Sequence, residues 1–197
     1  MNTHIDFEKS TETGRVVYKG TSSQRFMISV KTLFPGIVIL IVSILFFLYV
    51  IVNGNTLVAG LAVIPIILII LSMTFINKLA KAEGSDLRKN QTEIVRLLLR
   101  KYPGIQRHNC SERMIVITRG PRTSVFDKEI LILLENEHVY MNITMLGGGQ
   151  LKYILFSIPN YFRSRAMLRS FYQVVKAQPV AKPRVVNNMD AILNPYK

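Results

Sequence analysis

Thr32 to Asn77 reads TLFPGIVILIVSILFFLYVIVNGNTLVAGLAVIPIILIILSMTFIN, a stretch with no Asp, Glu, Lys, Arg or His, although both flanks are heavily charged. A helix needs about 20 apolar residues to cross a bilayer, because each adds about 1.5 Å against a hydrocarbon core of about 30 Å. The quoted block holds two such lengths. Its one break is the turn-forming triplet Asn53-Gly54-Asn55. The pattern predicts two transmembrane helices, Leu33 to Val52 and Leu57 to Ile76, joined as a hairpin over residues 33–77. A soluble core could bury one run of this kind, but two in succession across a short polar turn point to lipid. A cleaved leader fits poorly, since the run starts more than thirty residues in and exceeds the roughly 7 to 15 apolar residues of such a region.

The cations set the expected orientation. Arg15, Lys19, Arg25 and Lys31 precede the first span, Lys78, Lys81, Arg88 and Lys89 follow the second, and the connecting turn is uncharged. Short cation-rich flanks stay on the cytoplasmic side. Both termini are therefore expected in the cytoplasm, and the chain in the cytoplasmic (inner) membrane as a multi-pass protein. The net charge of +13 divides into +2 over residues 1–32 and +11 over residues 78–197, so the excess falls on the expected cytoplasmic parts. Anionic headgroups attract such a surface by about 1 kcal/mol per well-placed cation. Lys31, Lys78, Lys81, Arg165, Arg169 and Lys176 are the candidate contacts for anionic lipid. Nucleic acid is not an expected partner, because the cations are scattered rather than gathered into a recognition motif. The single cysteine, Cys110, excludes an intramolecular disulfide.

Residues 1–14 are polar and read as loosely ordered, and Arg15 to Lys19 has the β-branched and aromatic content of a short strand. Together with the approach to the first span they form an N-terminal segment, 1–32. Pro35 is expected near the start of the first span, where its missing amide hydrogen costs little, whereas Pro65 falls inside the second and should bend it. Neither span carries an ionisable residue, which argues against transport by the hairpin alone. Gly36, Ser43, Ala59 and Gly60 offer close helix contacts without a clean small-xxx-small pattern, and a homo-oligomer stays open.

A helical connector is expected over 78–104. Asp86 to Lys101 has a loose 3.6-residue period and ends at Pro103-Gly104, although Asn90 and Glu93 could instead cap a shorter helix. A β-rich domain, 105–177, follows. Glu112 to Arg119, Val125 to Leu134, Val139 to Leu146 and Leu151 to Ile158 read as strands separated by Gly120-Pro121, Glu135-Asn136-Glu137 and Gly147-Gly148-Gly149, and such spacers favour an antiparallel meander. Pro159-Asn160 opens a closing helix, Tyr161 to Lys176, with Tyr161, Leu168, Phe171, Tyr172 and Val175 on one side and Arg165, Arg169 and Lys176 on another. The tail, 178–197, holds three prolines and is expected to be mobile or draped over the domain.

The segment Lys128 to Met141 (KEILILLENEHVYM) and Ile158-Pro159 followed by the Phe162 to Gln173 helix carry a resemblance. In layout the chain resembles the bacterial YcxB-like membrane proteins over most of Arg15 to Lys176. The resemblance implies a cytoplasmic module similar to bacterial pleckstrin-homology-like domains. It brings no catalytic residues with it.

Candidate chemistry is sparse. His108-Asn109-Cys110 supplies two zinc-type donors, but His4 and His138 lacks ligand spacing to them, so an exposed loop is the better reading and no metal is expected. Gly147 to Gly149 lacks the Lys-Ser or Lys-Thr of a phosphate loop. Asp127, Glu129, Glu135 and Glu137 read as solvated strand ends. No Gly-x-Ser-x-Gly elbow is present, and Asn142-Ile143-Thr144 reads as strand residues rather than a used sequon. The fold class expected is membrane α+β: a transmembrane helical hairpin, then a small antiparallel β-meander with a covering C-terminal helix. The function expected is a non-enzymatic tether for an interaction or regulatory module, without cofactors, beside a membrane or cytoplasmic protein partner. An accessory subunit of a transport or secretion assembly is the alternative.

Overall fold

The computed structural model describes residues 5–54, 56–102, 106–119, 127–146 and 152–177. It is an α+β fold in which one five-stranded antiparallel sheet, ordered β1 (Ala80–Glu83), β5 (His138–Leu146), β4 (Asp127–Leu134), β3 (Met114–Arg119) and β2 (Gln106–Cys110), is covered on both faces and carries a pair of long apolar helices. The expected sites at Pro103-Gly104, Gly120-Pro121, Gly147 to Gly149, His4 and the tail 178–197 lie outside the described residues.

From Ile5 onward the N-terminal segment is structured. Helix α1, Phe7–Thr13, is capped by the Asp6 carboxylate, which accepts from the Lys9 amide. Arg15 to Lys19 is not a strand. It forms isolated bridges, Arg15 to Lys78 and Tyr18 to Ile5, because the segment crosses a sheet face instead of joining an edge.

Helix α2, Ser22–Val52, begins eleven residues before the predicted span, with a complete capping box of Thr21 and Gln24. Pro35 therefore lies inside the helix and not near its start. The helix ends at Val52, and the chain turns at Asn53-Gly54, where Gly54 adopts φ +75°. Helix α3, Thr56–Phe75, returns alongside α2 and runs on through Pro65. Of these two, α2 is long and apolar enough to cross a membrane, and the described apolar part of α3, residues 60–75, is shorter.

The expected connector, 78–104, keeps its helix and also contributes a strand to the sheet. Ala80–Glu83 is an edge strand, β1, paired with β5 from Ala80–Met141 to Glu83–His138. Helix α4, Leu87–Lys101, starts from the Asp86 cap, so the alternative caps are not used. Asn90 has another task. Fully buried, it accepts from the Ser85 amide and donates to the carbonyls of Ser85 and Glu135, tying α4 to the β4–β5 turn.

Gln106–Cys110 is an edge strand, β2, with a register shift between Arg107 and Asn109, and not a loop. Its polar residues suit an edge, where pairing comes from one side only. Strands β3, Met114–Arg119, β4, Asp127–Leu134, and β5, His138–Leu146, follow the predicted meander. The expected strand Leu151 to Ile158 is replaced by a 3-10 turn, Ile154–Phe156, which runs into α5, Ser157–Ala177. Pro159 sits within the first turn of that helix, where a missing amide hydrogen is tolerated.

Burial explains the nearly unbroken apolar run of β4. Ile130, Ile132 and Leu134 face a core shared with Ile94 and Leu98 of α4 and Met167, Leu168 and Phe171 of α5. Leu131 and Leu133 face the opposite side, with Tyr140, Leu79, Ile5 and Val16. Each fully buried Ile or Leu contributes about 1.5–3 kcal/mol. The N-terminal segment, β1 and α4 thus belong to the same body as the meander.

Candidate functional site

Two features stand out once the sheet is assembled: a cation-lined cleft beside β1 and the seat of the helical pair on the domain. Both are built by α5.

Helix α5 leaves the 3-10 turn and packs against β1 and β5 through Met167, Leu168, Phe171 and Val175. Arg165 and Arg169 fall one turn apart on its exposed side. With Leu168 and Tyr172 they form one wall of an open cleft of about 400 Å³, whose other wall is Lys81, Ala82 and Glu83 of β1. Arg165 and Arg169 thus share one wall and Lys81, more than eighty residues earlier in the chain, belongs to the facing strand, with its ammonium turned to the other face of the sheet over the Tyr140 ring. Neither arginine has an ion-pair partner among the described residues. Like charges at this helical spacing repel by a few tenths of a kcal/mol. An anion seated between them relieves that repulsion.

The other three candidates take separate positions. Lys176 donates to the Tyr172 hydroxyl at 3.3 Å and covers its ring, so it stands at the rim of the cleft. Lys78 lies at the foot of α3, with its Nζ 4.9 Å from the Phe75 ring centroid and 5.2 Å from that of Tyr161. Lys31 is exposed on α2, just before the uncharged stretch. Lys81 leans over the Tyr140 ring at 5.5 Å.

The seat of the helices has its own chemistry. Gly36 of α2 lies directly against Ile154 of the 3-10 turn, and a side chain there would collide with it. The Ser157 hydroxyl donates to the Ser72 carbonyl of α3. Phe75 and Tyr161 meet edge to face at 5.0 Å. Of the small residues in the apolar stretch, Gly36 therefore serves a contact with the chain's own domain. Lys152, not singled out from the sequence, is part-buried and donates to the Tyr18 hydroxyl at 2.8 Å and to Asn77 Oδ1 at 3.4 Å. It joins the N-terminal segment to the end of the helical pair.

The remaining expected polar residues are absorbed by structure. Asn142 and Thr144 are buried on β5 as strand residues, with the Thr144 hydroxyl donating to Asn142 Oδ1. His138 pairs across from Glu83 and lies 6.3 Å from the Tyr140 ring. Burial and the Glu135 carboxylate, which accepts its hydroxyl hydrogen, push the Tyr140 phenol up to about 12. The side chains of His108, Cys110 and Asp127 lie outside the described residues.

No family model, curated relative or solved structure matches the chain. The class defined by the fold is α+β, a two-faced antiparallel sheet bearing an apolar helical pair.

Proposed function

We propose that the chain is a membrane-anchored, non-enzymatic module. In this reading α2 and α3 cross the bilayer as a hairpin and hold the sheet domain at the cytoplasmic surface, where its cleft engages anionic headgroups or a protein partner. The carrying observation is the exposure of the apolar helices. Phe34, Val42, Leu45, Phe46, Leu61 and Ile64 are each more than half exposed, and a monomeric soluble protein rarely leaves so large a contiguous apolar patch to water.

Three facts support it. Helix α3 has 20 residues, about 30 Å at 1.5 Å per residue, of which the described apolar part is residues 60–75. Polar side chains in the pair bond within their own helices: Ser43 donates to the Ile39 carbonyl, Thr74 to that of Leu71 and Asn53 to that of Tyr49, as lipid demands. Three of the domain's buried polar residues, Asn90, Asn142 and Thr144, are engaged in holding the fold. The likeness in layout to the YcxB-like proteins and their pleckstrin-homology-like module belongs to the same proposal. It rests on the β4–β5 hairpin and α5.

The test is topological. In a Cys110→Ser chain with a new cysteine at Gly54 or at Glu83, a membrane-impermeant maleimide should label the Gly54 position from outside intact cells and the Glu83 position only after lysis. Extraction of the protein by alkaline carbonate without detergent would overturn the reading.

A further inference from the structure

The corner where the 3-10 turn enters α5 carries Leu155, Phe156 and Phe162, which are 50%, 41% and 56% exposed. Their level relative to the apolar helices is fixed on two sides. Ile154 seats on Gly36, four residues inside the uncharged stretch from its start at Thr32. Ser157 bonds to Ser72, five residues inside it from its end at Asn77. At about 1.5 Å per residue the corner therefore stands about 6 to 8 Å within the charge-free zone on both helices.

Charge-free helix is the part that hydrocarbon accepts, and a segment clamped to it at that depth goes where it goes. The side chains agree with the location: the exposed residues of the corner are aromatic and aliphatic. Lys78, one residue past the uncharged stretch, stacks on Phe75 and Tyr161, and Arg163, next to Phe162, turns its guanidinium to Asn160 Oδ1 at 3.4 Å. Apolar groups inside a cationic border are the arrangement of an interfacial element, which sinks about 5–10 Å into the boundary between headgroups and acyl chains.

We propose that this corner is a second, monotopic lipid contact. Leu155, Phe156 and Phe162 insert at the acyl-chain boundary of the leaflet that the hairpin enters, and the sheet domain is thereby held flush on the bilayer instead of swinging on a tether. The inference rests on the hairpin reading. It adds that the domain itself is part of the membrane-embedded surface.

The chain has no Trp, so a single introduced Trp reports its own surroundings. Full-length Phe156→Trp, Phe162→Trp and Leu45→Trp chains would be reconstituted in vesicles of phosphatidylcholine and phosphatidylglycerol brominated at shallow or deep acyl positions. Quenching of the Phe156 and Phe162 reporters mainly by shallow bromines, and of the Leu45 reporter by deep ones, is the expected result. A quenched Leu45 reporter beside unquenched corner reporters overturns the corner contact and leaves the hairpin standing. Corner reporters that are unquenched by bromine yet shielded from aqueous iodide mean that protein covers the corner, and this also overturns the proposal. If the Leu45 reporter is unquenched, the hairpin reading falls and the corner contact with it.

Discussion

Asn142, buried in the middle of β5, donates its side-chain amide to the backbone carbonyl of Lys78 at 2.8 Å, with Ile76 O at 3.4 Å. The end of the helical pair is thus bonded to the central sheet by one side chain. Replacing it with Leu leaves the Lys78 carbonyl and the Thr144 hydroxyl without their partner. An unsatisfied buried group costs about 1–3 kcal/mol. Asn142→Leu should lower the unfolding midpoint of the detergent-purified protein, and an unchanged midpoint would show that the bond contributes nothing net.

Gly36 admits the 3-10 turn to the side of α2. A leucine there collides with Ile154 Cδ1 and displaces either that side-chain end or the turn that carries it. Overpacking of this kind costs about 1–3 kcal/mol. Gly36→Leu should expose the 155–156 peptide to limited proteolysis, while Gly60→Leu, whose site is open, should leave the cleavage pattern as it was.

Tyr140 predicts an alkaline limit. Its phenol is raised from 10.0 to about 12 in the fold. Its contribution is therefore complete below pH 10, where folded and unfolded chains both hold the proton. Between pH 10 and 12 the unfolded chain releases that proton first, so stability falls as pH rises, and the contribution is gone above 12. Tyr140→Phe should show a shallower decline across this window in denaturant titrations. Parallel curves for the two proteins would refute the assignment.

Arg165 and Arg169 predict lipid retention. If each contributes about 1 kcal/mol toward anionic headgroups, losing both weakens binding by roughly thirty-fold. The Arg165→Ala/Arg169→Ala protein should copurify with less phosphatidylglycerol by phosphate assay, and the difference should shrink in high salt. Arg88→Ala, on the first turn of α4, serves as the comparison, and an equal loss there would deny the cleft any special role.

Much of the architecture is legible in the residues. Asn53-Gly54 marks the break between the long helices to within a residue or two, Asp86 marks the start of α4, and the β-branched runs around Glu135 to Glu137 give β4 and β5. These are local signals that need nothing distant. Strand β1 is different, because Ala-Lys-Ala-Glu has little β-propensity of its own. It becomes a strand by pairing along the edge offered by β5. The opposite error occurs at Leu151 to Ile158, whose apolar content suits a strand, but Ile154 is required against Gly36 and Ser157 against Ser72, and a tight turn satisfies both.

The candidate site divides in the same way. The count and sign of its charges are plain from the chain, yet Arg165 and Arg169 have no sequence relation to the strand of Lys81, and only the packing of α5 along β1 sets them across one cleft from it. Sequence alone determined the two apolar helices, because desolvating charge is so costly that an uncharged stretch of that length declares itself. Tertiary structure alone decided how the domain sits on those helices. That depends on Gly36, Asn142 and Ser157 meeting partners far along the chain, and no periodicity encodes such a meeting.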